Sequence, residues 1–281
     1  MKLSLSANKW SGGLVEWIEG KMAFISVVFS WQLQEAYQRA VWLKEQGYIV
    51  KAGGPAVAMN PDFLKGVARI DGELDALSKH NSNATFTSRG CPNKCEFCIV
   101  PKIEGDLVEL DEWPIRPIVC DNNLLACSRK HFDNVINNLK GIKAVDFNQG
   151  LDARLLTDYH ANRLTELDLE YVRIAWDQTS LEKRVMIAIE RLVSAGIPKR
   201  MIRVYVLIGF NDTPDDALYR LQTLKDFGVW PSPMRYQPLD AVRRNNYVGS
   251  SWTEPQLKDY MRYWSRLNWL EHIPFEDYVC P

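Results

Sequence analysis

The chain has 281 residues, 46% of them hydrophobic and 25% charged, which suits a soluble globular protein with one large domain or a compact domain plus a small appendage. Thirty-four basic residues nearly cancel thirty-five acidic ones, so the overall charge points to no strongly polyanionic partner. No run of 18 apolar residues occurs, and the N-terminal MKLSLSANKW has no apolar signal core, so a cytoplasmic protein without a membrane partner is expected.

In chain order, AFISVVFS at 23–30 is a continuous apolar, β-branched run of the kind a buried parallel strand carries. Leu33, Tyr37, Ala40 and Leu43 then recur at helical spacing, with Gly47 as the stop, and YIVKA at 48–52 reads as the next strand. Strand, helix and strand in this order predict a small α/β unit with parallel strands over residues 1–60. Residues 61–83 are more polar and read as a linker.

From residue 84 to 240 the alternation resumes. Strands are predicted at 84–88, 117–120, 144–148, 171–175, 202–208 and 234–237, with helices at 129–140, 157–167, 180–195 and 214–227. The last helix has Thr213 as N-cap, Pro214 at its first position, Gly228 after its end, and an inward stripe of Ala217, Leu218, Leu221 and Leu224. Strands alternating with helices in this way fit an incomplete β/α barrel and an open parallel sheet equally well. Residues 241–281 read as a helical extension, whose helix at 254–269 carries Tyr260, Tyr263, Trp264 and Trp269.

The informative stretch is SRGCPNKCEFCIVPKIEG at 88–105, in which Cys91, Cys95 and Cys98 are spaced CxxxCxxC directly after a predicted strand. Three thiolates on a short loop hold three corners of a 4Fe–4S cube and leave the fourth iron open to a small molecule. A zinc knuckle needs a fourth nearby Cys or His, and none lies at the required spacing, His80 and Cys120 being distant in sequence. Buried core thiols are the other alternative, against which stand Lys94 and Glu96 between the cysteines. Cys120, Cys127 and Cys280 read as solitary thiols.

With Phe97 just before the last cysteine, this motif resembles the signature of the radical S-adenosylmethionine (SAM) superfamily. The longer RGCPNKCEFCIVP is similar to the matching segment of tRNA methylthiotransferases and of radical SAM proteins with cobalamin-binding-like N-terminal domains. The resemblance implies a partial, six-stranded β/α barrel with a small Rossmann-like N-terminal unit. It implies a 4Fe–4S cluster on Cys91, Cys95 and Cys98, with SAM chelating the open iron through its amino and carboxylate groups. One-electron reduction then cleaves SAM to methionine and a 5′-deoxyadenosyl radical, which abstracts hydrogen from a substrate; the electron comes from a donor such as flavodoxin or ferredoxin.

By the same resemblance the other SAM contacts lie at strand C-termini. Asp121, Asn122 and Asn123 occupy the place of the superfamily's glycine-rich segment, without its glycines. Asn148, Gln149 and Asp152 follow the third strand, Asp177 and Gln178 the fourth, and Gly209, between Ile208 and Phe210, the fifth. Arg154 is a candidate partner for the SAM carboxylate, or for an ordinary surface ion pair. The N-terminal unit resembles a shortened cobalamin-binding domain in FSWQLQEAYQRA and AGGPAV, but it lacks DxHxxG, and no cobalamin is expected.

No residue names the substrate. Methylthiotransferase chemistry is an alternative, although no cysteine precedes Cys91 to hold the second cluster of those enzymes, and a non-enzymatic iron–sulfur carrier or regulator is another. Arg235, Tyr236, Arg243, Arg244, Tyr247 and Trp252, then Arg262, Trp264, Arg266 and Trp269, mix cations with aromatics in a way that suits a nucleic acid or nucleotide, or a half-buried capping helix.

Overall fold

A computed structural model describes residues 9–70 and 74–279, so Cys280 lies outside the described residues. The chain divides into two compact units.

The first unit comprises the described residues up to Thr85, with Gly90–Asp106 and Gln237–Asn246. Its sheet has the order β1 (Leu14–Glu19), β2 (Met22–Val27), β3 (Ile49–Gly53). The sequence reading did not foresee β1. It forms an antiparallel hairpin with β2 through a two-residue loop, Gly20-Lys21, whose glycine sits at φ +60°. Directly opposite each other on this hairpin, Trp17 and Phe24 stack with ring centroids 5.1 Å apart. β2 and β3 are parallel, joined through α1 (Leu33–Glu45), as the apolar run and helical spacing predicted. Ala23, Ile25 and Val27 of β2 meet Ala36, Ala40 and Leu43 of α1 in a fully buried core. Burying a large aliphatic side chain such as Ile25 or Leu43 contributes about 1.5–3 kcal/mol.

The stretch read as a linker is folded into this unit. Leu64 is fully buried in the same core, and Arg69 bridges in parallel to Lys51 of β3. α2 (Pro55–Met59) precedes it and α3 (Leu77–His80) ends it. Both ring nitrogens of the buried His80 are hydrogen-bonded, to the Ser11 hydroxyl at 2.7 Å and the Ser26 hydroxyl at 2.9 Å. β4 (Ala84–Thr85) and, on the cysteine segment, α4 (Val100–Ile103) complete the unit.

The second unit comprises Phe86–Arg89, Leu107–Tyr236 and the described residues from Tyr247. It opens with a short antiparallel pair, β5 (Ser88–Arg89) and β6 (Val108–Glu109). The strand expected over 84–88 is thus two separate pieces. The alternating part runs β7 (Ile118–Val119), α5 (Arg129–Leu139), β8 (Val145–Phe147), α6 (Asp158–Leu164), β9 (Leu169–Ala175), α7 (Glu182–Ser194), β10 (Ile202–Ile208), α8 (Pro214–Phe227), β11 (Trp230–Arg235). The large sheet has six strands in the order β11-β10-β9-β8-β7-β4, and all pairings from β7 to β11 are parallel. The protein is therefore mixed α/β, with a six-stranded sheet flanked by helices.

β11 begins at Trp230 rather than 234. Pro231 and Pro233 concealed it, because proline cannot donate to a ladder; at the end of the strand order only one side needs donors. Thr213 caps α8 and Gly228 ends it at φ +88°, as read from sequence, and Asp216 completes a capping box that was not foreseen. The buried face of α8 differs, however. Leu218 is only half-buried, whereas Arg220 is 0% exposed. The predicted terminal helix breaks at Arg266 into α9 (Glu254–Ser265) and α10 (Leu267–Leu270).

Candidate functional site

The cysteine loop is built on a glycine. Gly90 has φ +73°, and a Cβ on it would stand 2.1 Å from the Asp106 carbonyl oxygen, closer than atoms approach. That approach lets Cys91 N–H donate to the Gly105 carbonyl at 3.1 Å, while Gly90 N–H donates to Glu104 Oε2 at 2.9 Å. The loop is tied at its base by Gly90 to Asp106. Within it, Cys98 N–H donates to the Cys95 carbonyl at 3.0 Å, and Asn93 N–H points at Cys91 Sγ at 3.4 Å. Cys91, Cys95, Cys98 and Phe97 are half-buried, and Lys94 and Glu96 are exposed, so this is not a core segment.

Among the described residues no three His, Cys, Asp or Glu side chains are grouped to hold a single metal ion. A cube makes a different demand, since each thiolate takes its own iron and the three sulfurs must converge on neighbouring corners rather than on one ion. The three thiols that would hold such a cube lie within eight residues, are half-buried, and have a backbone N–H directed at one sulfur. Cys120 and Cys127 belong to a different chemistry. Burial pushes the Cys120 thiol up to about 12 and the Cys127 thiol up to about 11, so both stay protonated and inert at neutral pH.

At the strand ends of the second unit, Asp121 follows β7 and is buried. Its Oδ1 accepts from Thr87 N–H at 2.6 Å, and its Oδ2 accepts from the Thr87 hydroxyl and, at 2.9 Å, the Ser88 hydroxyl. Burial nevertheless raises its pKa, against those hydrogen bonds. The carboxylate expected to meet SAM is engaged with β5, the segment that leads into the cysteine loop in sequence. Asn122 is half-buried and Asn123 buried, and the Asn123 amide donates to Asp152 Oδ2 at 3.1 Å. Asp152 is gripped by Arg154 in a two-point pair, Nε to Oδ1 at 2.8 Å and Nη2 to Oδ2 at 2.7 Å. Burial raises the Asp152 carboxyl, but Arg154 and Asn123 together hold it below its usual range. Asn123, Asp152 and Arg154 thus come together as one cluster, in which Arg154 makes an ion pair.

Asp177, after β9, is half-buried, and burial lifts its pKa to about 6 against the pull of Arg220 and Arg154. Gln149 and Gln178 are exposed. Gly209 ends β10 at φ +81° with its N–H on Asp212 Oδ1 at 2.9 Å; Gly249 approaches so closely that a Cβ on Gly249 would lie 2.8 Å from the Gly209 carbonyl oxygen.

Two groups escaped the sequence reading. Arg220 donates to the Trp176 and Leu207 carbonyls at 2.9 and 3.0 Å and pairs with Asp212, which also accepts from Trp252 Nε1 at 3.1 Å. Burial lowers the Arg220 pKa, against the opposing pull of Asp212 and Asp177. Asp146 and Arg173 form a second buried ion pair at 2.9 Å on the face of β8 and β9. Charged residues inside strands and helices carry no periodic signal, which is why neither pair was legible.

The mixture of cations and aromatics near the C-terminus divides, with Trp252 and Trp264 buried and Arg243, Arg244, Tyr247, Arg266 and Trp269 exposed. Trp252, Tyr260, Tyr263 and Trp264 are buried, Arg235 pairs with Glu254 at 2.6 Å, and Trp269 stands 78% exposed. No family model matches the chain, and a search of the curated proteins finds no match.

Proposed function

We propose that the chain is a radical SAM enzyme, with a 4Fe–4S cluster on Cys91, Cys95 and Cys98 and a six-stranded sheet curved into a partial β/α barrel. The observation that carries this reading is the CxxxCxxC loop, tied shut at a position only glycine can occupy. When bound, such a cluster supplies the single electron that cleaves SAM reductively.

The chain's own residues bind and orient. Cys91, Cys95 and Cys98 supply three thiolates, and Asn93 N–H offers a hydrogen bond to the Cys91 sulfur, one of the interactions that tune a cluster's potential. Asp121 fixes Thr87 and Ser88, at the start of β5. At the strand ends of the second unit, Asn122, Asn123, Asp152, Asp177 and the Gly209 backbone are the polar groups offered to the amino acid and nucleoside parts of SAM. Asp177, with its pKa near 6, is the carboxyl among them that changes protonation close to neutrality. A one-electron donor such as flavodoxin or ferredoxin is the partner this chemistry requires, and cobalamin has no part in it.

The test is product analysis. Anaerobically reconstituted, reduced protein incubated with SAM should release 5′-deoxyadenosine and methionine, read by mass spectrometry. A protein that carries its full iron complement yet leaves SAM intact under reduction refutes the enzymatic reading and favours an iron–sulfur carrier.

A further inference from the structure

On β8, β9 and β10 the sheet turns one face of apolar side chains, among them Val145, Val172 and Val204, into the core. The opposite face is polar. Asp146 lies opposite Tyr171 across β8 and β9, and Arg173 lies directly opposite Arg203 across β9 and β10. Two arginines in register repel each other unless something offsets them. Asp146 offsets one, accepting from Arg173 Nη2 at 2.9 Å. Arg203 has no carboxylate partner among the described residues and instead lies over the Tyr171 ring at 3.5 Å. Arg173 is 7% exposed, yet its Nε and Nη1 have no acceptor among the described residues. Buried guanidinium donors without acceptors are costly, and this face holds two guanidiniums to one carboxylate. The Tyr205 phenol shares the setting. It lies two residues beyond Arg203 on β10, on the same side of the strand, its hydroxyl donates to the Asn148 carbonyl at 3.4 Å, and burial raises its pKa.

We infer that this face is an oxyanion subsite, in which Arg173 and Arg203, with Tyr205, receive a carboxylate or phosphate group of the substrate. Planar guanidiniums with unused donors suit the two oxygens such a group presents. The subsite adjoins the loop after β8, where the Tyr205 hydroxyl donates to the Asn148 carbonyl at 3.4 Å and Leu151 N–H donates to the Arg173 carbonyl at 2.7 Å. As a substrate anchor it deepens the radical-enzyme reading, but oxyanion binding itself requires no cluster.

Calorimetric titration of the full chain with inorganic phosphate, and separately with malonate, at constant pH and ionic strength tests this. Saturable binding of at least one anion is expected, weakened about tenfold or more by Arg203→Gln. That variant leaves the Asp146–Arg173 pair intact, so its fold should survive, which circular dichroism checks. Arg173→Lys keeps the charge opposite Asp146 but loses the fork, and it should weaken binding similarly. A preference for phosphate assigns a phosphoryl group and a preference for malonate a carboxylate. Failure of both anions to saturate the wild type, or unchanged affinity in Arg203→Gln, overturns the inference. Iron content is read separately. A chain that takes up iron but no oxyanion defeats this subsite alone, and one that binds oxyanion but no iron defeats the cluster reading alone.

Discussion

Replacing Gly90 by alanine should cost this protein more than the same change at a glycine of similar backbone conformation. Gly90 and Gly47 both have positive φ, +73° and +87°. At Gly47 an added Cβ meets nothing within 4 Å, so the only penalty is that of a left-handed alanine, about 1–2 kcal/mol. At Gly90 the same Cβ meets the Asp106 carbonyl oxygen at 2.1 Å and the Gly105 carbonyl oxygen at 2.9 Å. Both are backbone atoms that cannot swing aside. The loop base must open, which endangers the Cys91 N–H bond to Gly105 as well, adding about 1 kcal/mol or more. The expected total is roughly 3 kcal/mol, against about 1 for Gly47→Ala. Urea denaturation of both variants gives the stabilities, and iron per chain after anaerobic reconstitution reports whether the displaced loop still presents its thiols. Should Gly90→Ala match Gly47→Ala in stability and keep its iron, the argument that this glycine shapes the loop is wrong.

Arg220→Met leaves Asp212 charged and buried without its guanidinium, and should destabilise the chain by about 3–5 kcal/mol; adding Asp212→Asn should recover part of that loss in urea melts. Asp177 has a folded pKa of about 6 against an ordinary 3.8, so the native state holds this proton longer than the unfolded state does. Its contribution therefore falls as pH rises from about 4 to 6, by up to about 3 kcal/mol; Asp177→Asn should flatten that part of the stability profile while weakening SAM binding at pH 7.

Much of the fold could be read from the residues because local signals agreed. The apolar run at 23–30, the helical spacing from Leu33 and the capping residues Thr213, Pro214 and Gly228 each pointed to the element that forms. Where the signals conflicted, the reading failed. Pro231 and Pro233 hid the start of a strand predicted only from 234, and they are tolerated because it lies at the end of the sheet order. LVEWIE became a strand only through its hairpin with β2, a tertiary cause that periodicity does not carry. The polar stretch 61–83 holds Leu64 in the core, and one buried leucine among polar residues is too sparse a pattern to announce a folded segment. The site divides along the same line. Cysteine spacing is local chemistry and was legible. The hydrogen bonds that could not be read join residues distant in sequence, since Asp121 accepts from Thr87 and Ser88 and Arg220 donates to the Trp176 and Leu207 carbonyls.

The central claim is that Cys91, Cys95 and Cys98 are the cluster ligands. Iron and acid-labile sulfide should be measured per chain after anaerobic reconstitution of the wild type and of each cysteine-to-alanine variant. About four irons per chain are expected in the wild type, lost in Cys91→Ala, Cys95→Ala and Cys98→Ala and retained in Cys120→Ala and Cys127→Ala, whose thiols stay protonated. Zinc in place of iron, or iron uptake that survives removal of any of the three loop cysteines, would contradict the account.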